Sequence, residues 1–468
     1  MPRKLSYAAG VISLLLVAGC SGTGAGGGTS WRALPQAQPA SGSGSAYISH
    51  VVVIIQENRS FENFFAGYPG ANAPLSGCAM PNGGIARARV RHHSSGSGCP
   101  PGDLSIPLQK IPLGGPELQH DWHSSIISYH GGKMDGFSRV GIPGKYEAYA
   151  YVDPKDIAPY RDMAEQYVLA DEMFPTQFGG SFTAHLTAVA GNDAISQTPS
   201  RSEVDFPNGA YDDCDSPPGT RSSFLTSNRE EHFYQGPFPC FDQFNTIAQV
   251  LDDAGISWKY YATKLVHGGV WEPFEAMKYT RYGPDWNSNI IAPQTTVLSD
   301  AANGNLASVD WVSPSKPDSD HPDDGNHGPS WVGSVVNAIG ESSYWPTTAI
   351  VVIWDDWGGF YDNAPPPQLD YRGLGIRVPC LIISPYAKQD YVSHVPYEFA
   401  SILKFIEGVY GLGTIGPPSQ GYTDTRATSL DDAFDFNQQP RKFQPIPTTY
   451  PLAHFLHEPP NDEPVDTE

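Results

Sequence analysis

Short hydrophobic runs alternate with amphipathic stretches along most of this chain. Runs rich in apolar residues, which predict strands, lie at 50–56, 257–262, 308–313, 348–356 and 377–384. Stretches with helical periodicity lie at 159–168, 241–255, 330–342 and 396–411. Unbroken apolar strands are typical of parallel sheets buried on both faces, and their alternation with helices is typical of α/β proteins. The pattern therefore predicts an α/β fold with a mostly parallel central sheet between helical layers.

Three long segments interrupt this alternation. Residues 70–118, 196–240 and 412–450 show no clear periodicity and predict long loop insertions. No linker-like break divides the chain after residue 45, and no internal repeat is present. We therefore expect residues 46–468 to form a single catalytic domain.

The N-terminus has the pattern of an export signal. Basic "PRK" precedes the apolar run "AAGVISLLLVAG", which is too short to span a bilayer stably. "LVAGC" resembles the bacterial lipobox, so residues 1–19 are predicted to be a lipoprotein signal peptide and Cys20 to carry a lipid. Residues 20–45 would then be a flexible tether to the membrane of the cell envelope, on the periplasmic side or at the cell surface. The alternative is an ordinary cleaved signal, which also places the folded part outside the cytoplasm.

Charge and cysteine content narrow the class of protein. With 28 basic and 50 acidic residues the formal charge is −22, which argues against a nucleic-acid partner. The spacing of the cysteines suits two local disulfides in an oxidising compartment, Cys78 with Cys99 and Cys214 with Cys240. Cys380, in the apolar run "VPCLIIS", is predicted to be a buried free thiol.

Two of the predicted strands end in oxygen-bearing side chains. Glu57 and Asn58 follow the strand at 50–56, and Asp355 and Asp356 stand at the end of "AIVVIWDD". In open parallel sheets the functional groups collect at the carboxyl ends of the strands. Clustered acids there would repel one another unless a cation were present. Each pair taken singly is equally explained by a helix cap or a turn, but together they predict an oxygen-rich metal site.

Several sequence blocks carry a family resemblance. They are, in chain order, "HVVVIIQENRSFENFF" (50–65), "LQHDWHSSIISYHGGKMDGF" (118–137), "LADEMFPTQFGGSFTAHLTAVAGN" (169–192), "SDHP" (319–322), "VVIWDDWGGFYDN" (351–363) and "VPCLIISPYAK" (378–388), with a weaker match at 431–436. Together they resemble the bacterial phosphoesterase family that contains phosphatidylcholine-type phospholipases C and respiratory-burst-inhibiting acid phosphatases. This family belongs to the alkaline-phosphatase-like superfamily. The resemblance implies a three-layer α/β sandwich and metal-assisted attack on phosphorus by a hydroxyl group.

The resemblance also implies roles for particular residues. It matches Glu57, Asn58, Asp355 and Asp356 to ligands of one divalent metal ion, and it matches Ser181 to the nucleophile, which also contacts the metal. His120 and His321 match catalytic histidines around the phosphate. Calcium, magnesium, manganese and zinc all remain possible for the ion. Ser181 is alternatively a simple helix cap after Gly179 and Gly180, and His123, His185 and His327 are equally consistent with a catalytic and a structural role.

The resemblance leaves the substrate class open. This chain lacks the histidine that often follows the acid after the paired glycines, since Asn363 follows Asp362. It has Ala184 and His185 where many phospholipases C have Asn-Arg, and the extra C-terminal β-domains of large members are not expected. We therefore expect an acid-phosphatase-like hydrolase of small phosphomonoesters. The alternatives are a phosphodiesterase of phospholipase C type and a surface lipoprotein that binds a ligand without catalysis.

Overall fold

The hydrophobic runs form the centre of the fold in a computed structural model that describes residues 46–81, 98–142, 144–196, 198–323 and 327–459. The predicted signal peptide, Cys20 and the tether lie outside these residues. The strands are β1 His50–Gln56, β2 Ser76–Ala79, β3 Leu104–Pro107, β4 Gln109–Ile111, β5 Ala150–Val152, β6 Val168–Phe174, β7 Arg201–Val204, β8 Ser223–Thr226, β9 Glu231–His232, β10 Trp258–Tyr261, β11 Ile290–Ile291, β12 Val309–Val312, β13 Thr348–Trp354, β14 Val378–Ile383, β15 Tyr391–Ser393 and β16 Tyr397–Glu398.

The α-helices lie mostly between these strands. They are α1 Phe61–Phe65, α2 Trp122–Tyr129, α3 Ala158–Gln166, α4 Ser181–Ala190, α5 Ile247–Ala254, α6 Lys278–Arg281, α7 Thr296–Asn303, α8 Gly328–Gly340, α9 Phe399–Tyr410 and α10 Leu452–Leu456. In the part of the chain that the structure describes, none of them combines the length and the apolar content needed to cross a membrane.

A nine-stranded sheet forms the core, in the order β11-β10-β12-β1-β13-β14-β6-β15, with β16 also paired to β6. All neighbours are parallel except at β14, which is antiparallel to both β13 and β6. Val51 to Ile55 of β1 are consecutive and almost wholly buried, so both faces of the sheet are covered. The helices pack in two groups, α3 with α8, α7 and α10, and α4 with α5 and α9. The predicted α/β class with a mostly parallel central sheet is confirmed.

The start of one predicted helix is wrong, and strand β6 of the central sheet and several short strands were not predicted. The helix predicted at 241–255 begins only at Ile247, because Thr246 and Gln249 form a capping box. Strand β6 was not predicted, because Asp171 and Glu172 interrupt its apolar run; Asp171 is nevertheless buried, and its carboxylate lies 2.9 Å from His394 Nδ1. The segments without periodicity contain short strands, among them the pair β2–β3 and the three-stranded sheet β7–β8–β9.

The cysteine predictions are confirmed. Cys78 is bonded to Cys99 and Cys214 to Cys240. Cys380 lies in the buried strand β14 as a free thiol, and burial raises the pKa of this thiol above its ordinary range.

Candidate active site

The two predicted strand ends lie side by side. Strands β1 and β13 are adjacent and parallel, with Gln56 opposite Trp354. The residues that follow therefore emerge at the same edge of the sheet, and the backbone amide of Asn58 donates a hydrogen bond to Asp355 Oδ1 at 2.8 Å. Glu57, Asn58 and Asp355 are all at most 1% exposed. Sheet register alone thus brings these oxygens together.

A glycine turn fixes the position of Asn58. The backbone of Asn58 has φ 60°, a left-handed conformation that asparagine tolerates better than most residues. Gly358, with φ +59°, packs so closely that a Cβ atom there would lie 2.0 Å from the carbonyl oxygen of Asn58. The paired glycines after Asp356 are therefore required for the close approach of the β13 end to the β1 end.

Ser181 occupies the first position of α4 and does not cap it. The cap residue is Gly180, and no side chain caps this helix. Ser181 Oγ instead donates a hydrogen bond to Asp356 Oδ2 at 3.4 Å, and both residues are at most 1% exposed. Gly179 has φ +151°, and a Cβ atom there would lie 2.7 Å from Thr183 Oγ1. The capping alternative for Ser181 is therefore wrong, and its hydroxyl faces the acidic strand end.

His120 contacts the asparagine of the first strand end. Its Nδ1 lies 2.7 Å from the carbonyl oxygen of Leu118, so Nδ1 carries a proton and donates it. Its Nε2 lies 2.8 Å from Asn58 Nδ2, which fits an imidazole that accepts from the amide. Nε2 is also 3.8 Å from Asp356 Oδ2. The Asn58 side chain is therefore oriented with its amide nitrogen donating to His120 and its amide oxygen available to another ligand.

His321 lies in the segment after β12 and is 2% exposed. Its Nδ1 is 2.8 Å from the carbonyl oxygen of Pro322, and its ring centre is 6.3 Å from that of Trp271. The carbonyl of Trp271 accepts a hydrogen bond from the hydroxyl of Tyr260 on β10. These contacts place His321 on the β10 side of β12, and its predicted role at the phosphate stays a prediction.

His185 is the site residue that sequence reasoning left undecided. It is wholly buried on α4, with Nε2 3.0 Å from Glu57 Oε1 and 4.0 Å from Asp355 Oδ2. Burial lowers the pKa of His185 to about 4, so the imidazole is neutral near pH 7 and donates to Glu57. The available signal was its spacing, because a residue four positions after Ser181 lies on the same helical face.

The oxygens at the two strand ends fit a divalent cation. Asn58 Oδ1 and Asp355 Oδ2 are buried and accept no hydrogen bond, which is costly unless another ligand satisfies them. Glu57, His185 and Asp355 each offer one ligand atom, and these atoms lie within 4.8 Å of one another. Carboxylate and amide oxygens suit magnesium, manganese or calcium, and an imidazole at the same place also suits zinc.

Comparisons with known proteins identify related sequences. A family model described as "Phosphoesterase family" matches residues 48–413. Phospholipase C B of Mycobacterium tuberculosis is 25% identical over 453 residues, which cover 85% of this chain and 80% of that protein. The non-hemolytic phospholipase C of Pseudomonas aeruginosa is 24% identical over 445 residues, covering 86% of this chain and 59% of that protein.

Some solved structures also resemble the fold of this chain. A protein in the alkaline phosphatase superfamily from Vibrio parahaemolyticus matches 86% of this chain and 74% of its own, with a TM-score of 0.38 and 10% sequence identity. Similarity of this size is too low to support a functional argument.

Proposed function

Since this chain belongs to the Phosphoesterase family, and is therefore a hydrolase of phosphoric ester bonds, we propose that Ser181 is its nucleophile. The observation that carries the proposal is the hydrogen bond from Ser181 Oγ to Asp356 Oδ2, beside the contact between Asn58 and Asp355. A serine hydroxyl is a weak nucleophile by itself, so a buried acceptor for its proton and nearby positive charge are what activation requires.

The reaction has two steps. In the first, Ser181 Oγ loses its proton to Asp356 and forms a bond to phosphorus, while the bond between phosphorus and the leaving oxygen breaks. His321, and His120 once its Nε2 has taken up a proton, are proposed to bind the phosphoryl oxygens and to supply the proton of the leaving alcohol. In the second step, water attacks the phosphoserine and gives one proton to the histidine that protonated the alcohol, the bond from phosphorus to Ser181 breaks, and Ser181 regains its proton from Asp356. The N-terminal amides of α4, a helix of ten residues, favour an anion at this position.

We propose that Glu57, Asn58, Asp355, Asp356 and Ser181 hold one divalent metal ion. A bound ion supplies positive charge that stabilises the serine alkoxide and the phosphoryl oxygens. His185 acts on this set as a positioning residue, because its hydrogen bond fixes the carboxylate of Glu57.

The substrate class we propose first is a small phosphomonoester. All the ligand residues are at most 1% exposed, which suits a small phosphate more than a broad lipid surface. Three carboxylates and one divalent ion leave a net negative site, so a monoanion is favoured over a dianion. A phosphomonoester becomes a monoanion below its second pKa of about 6. Activity on monoesters is therefore expected to rise as the pH falls below about 6.

The second candidate is a phosphodiesterase, and the similarity to proteins named phospholipase C favours it. A phosphodiester carries one negative charge at every pH above its pKa. The net negative charge of the site therefore allows a diester to bind at neutral pH as well as under acid conditions. The pH dependence of turnover therefore separates the two candidates.

The decisive experiment compares p-nitrophenyl phosphate, bis-p-nitrophenyl phosphate and phosphatidylcholine vesicles as substrates. Ser181→Ala is expected to lower turnover of the true substrate by at least about a thousandfold, and Ser334→Ala, at another buried helical serine, is the matched control. Turnover of the monoester alone supports the first candidate, and turnover of diesters alone supports the second. Undiminished turnover in Ser181→Ala would refute the assignment of the nucleophile.

We further propose that the protein is exported and anchored through a lipid on Cys20, as the N-terminal pattern predicts. Incorporation of labelled palmitate into the wild-type chain, and not into Cys20→Ala, would support the anchor. A wild-type chain without label would contradict it.

A further inference from the structure

Four potential metal ligands converge where the C-terminal segment packs on α8, and we call them the C-terminal cluster. They are Asp318, at the end of a short 3-10 helix after β12, His327, immediately before α8, His454, in α10, and Glu458, shortly after α10. The residues proposed for catalysis include none of them. Two pieces of chain that are more than 120 residues apart in sequence therefore supply two ligands each.

One atom of each of these residues is buried and makes no hydrogen bond of good geometry, although Asp318 Oδ1 and His327 Nδ1 form an ion pair with each other. The atoms are Asp318 Oδ1, His327 Nδ1, His454 Nε2 and Glu458 Oε2. Asp318 is wholly buried, and its other oxygen accepts a hydrogen bond from Ser315 Oγ at 2.8 Å, which fixes the direction of Oδ1. Burying a polar atom without a good hydrogen bond is unfavourable. Four such atoms at one place, from two histidines and two carboxylates, fit the ligand set of a cation.

The spacing of these atoms suits a small cation. Ligand atoms of His327, His454 and Glu458 lie within 4.8 Å of one another. Asp318 Oδ1 lies 3.4 Å from His327 Nδ1, which matches the edge of about 3.4 Å in a tetrahedron with metal bonds of about 2.1 Å.

We propose that the C-terminal cluster is a second metal site that binds Zn²⁺ through two imidazoles and two carboxylates. Two nitrogens and two oxygens form the kind of closed four-ligand set that zinc prefers, and two carboxylates neutralise its charge. The side chain of His327 is 23% exposed, which leaves a path for the ion. The site differs in donor chemistry from the oxygen-rich strand ends.

The ion would join the C-terminal segment to the segment that carries His321, because Asp318 and His327 flank that residue in sequence. Aromatic packing already holds the two parts in register: the ring of Tyr450 lies 4.3 Å from that of His327, and the ring of Phe455 lies 5.4 Å from that of Trp331. A structural zinc ion here would therefore restrain the position of the histidine predicted to act at the phosphate.

Protons are the competitor for this site. Imidazole and carboxyl groups must lose their protons before they can bind a metal ion. Since zinc binds the deprotonated ligands, it must displace these protons. Zinc affinity is therefore expected to fall as the pH falls.

Metal content and zinc titration calorimetry on the chelator-treated protein test the proposal. His454→Ala and Glu458→Gln are each expected to bind one equivalent of Zn²⁺ fewer than the wild type, or to bind it more than about 100-fold more weakly, since even outer-shell changes cost about 10–100-fold. His457→Ala is the matched control, because His457 is exposed and its Nδ1 contacts the Ala453 carbonyl.

Equal zinc uptake by the wild type, His454→Ala and Glu458→Gln would overturn the proposal, as would an equal loss in His457→Ala. Circular dichroism of each variant separates loss of the site from misfolding. Substitution with Co²⁺ gives a second measurement: the visible absorption of a four-coordinate site is expected in the wild type and absent in both cluster variants. Absence of that absorption from the wild type would also overturn the proposal.

Discussion

Replacing Gly358 with alanine tests how the glycine turn positions the two strand ends. The new Cβ atom would lie 2.0 Å from the carbonyl oxygen of Asn58, about 1 Å closer than such atoms approach. The contact is with backbone, so no flexible side chain can move away. The φ of +59° adds a penalty of about 1–2 kcal/mol for a residue with a side chain, and overpacking typically adds about 1–3 kcal/mol. We therefore expect Gly358→Ala to lower the free energy of unfolding by about 2–5 kcal/mol.

The same substitution should weaken catalysis more than stability alone explains. A shift of about 1 Å in Asn58 moves a proposed metal ligand, and a displacement of that size can cost about 100-fold in rate. Urea denaturation gives the stability, and phosphoester turnover with calorimetric metal titration gives the effect on the site.

Gly408→Ala is the control, because this exposed glycine lies within α9 and a Cβ atom there meets nothing within 4 Å. It should raise stability by about 0.5–1 kcal/mol and leave turnover unchanged. If Gly358→Ala retained wild-type stability and metal affinity, the close approach of the two strand ends would not be what positions Asn58.

Three further predictions concern buried polar groups. His185→Ala should lower the affinity for the active-site metal by about 10–100-fold, measured by calorimetry, because Glu57 loses its hydrogen bond; unchanged affinity would contradict the positioning role. Burial and the adjacent Asp424 raise the pKa of Glu407 to about 9, so the wild type loses stability as the pH rises from about 4.3 towards 9. Glu407→Gln should therefore match the wild type in urea unfolding at pH 4 and exceed it by about 1–3 kcal/mol at pH 8; equal stability at both pH values would show that this carboxyl is not buried in its neutral form. Arg372→Met should cost about 3–5 kcal/mol in the same assay, because it strands the buried carboxylate of Asp193, which Arg372 contacts at 2.7 Å; a loss below 1 kcal/mol would refute that reasoning.

The sequence predicted those parts of the fold that depend on local pattern. The five apolar runs became strands β1, β10, β12, β13 and β14 with ends within about two residues of those expected. The disulfides could be predicted because cysteines close in sequence pair at low entropic cost. Strand β6 could not, because its stability comes from tertiary pairing with β14, β15 and β16 and not from its own hydrophobic pattern.

The candidate site divides in the same way. The acids at the strand ends were predictable, because parallel strands that are central in a sheet deliver the residues after them to one edge. Neither the place of His185 in the site nor the C-terminal cluster could be predicted from the sequence. His185 lies within hydrogen-bond distance of Glu57 only because α4 packs against the edge of the sheet where β1 and β13 end. The spacing of residues along the sequence does not show where a helix packs.

By itself, then, the amino-acid sequence determined the five strands with unbroken apolar runs, the glycines that permit tight turns and the residue types at the strand ends, since all of these follow from short-range sterics and hydrophobic pattern. Only the tertiary structure decided which buried polar atoms lack partners and which distant side chains share a space. That depends on how elements pack over the whole chain, because contacts between distant residues are set by the complete core and not by any one segment.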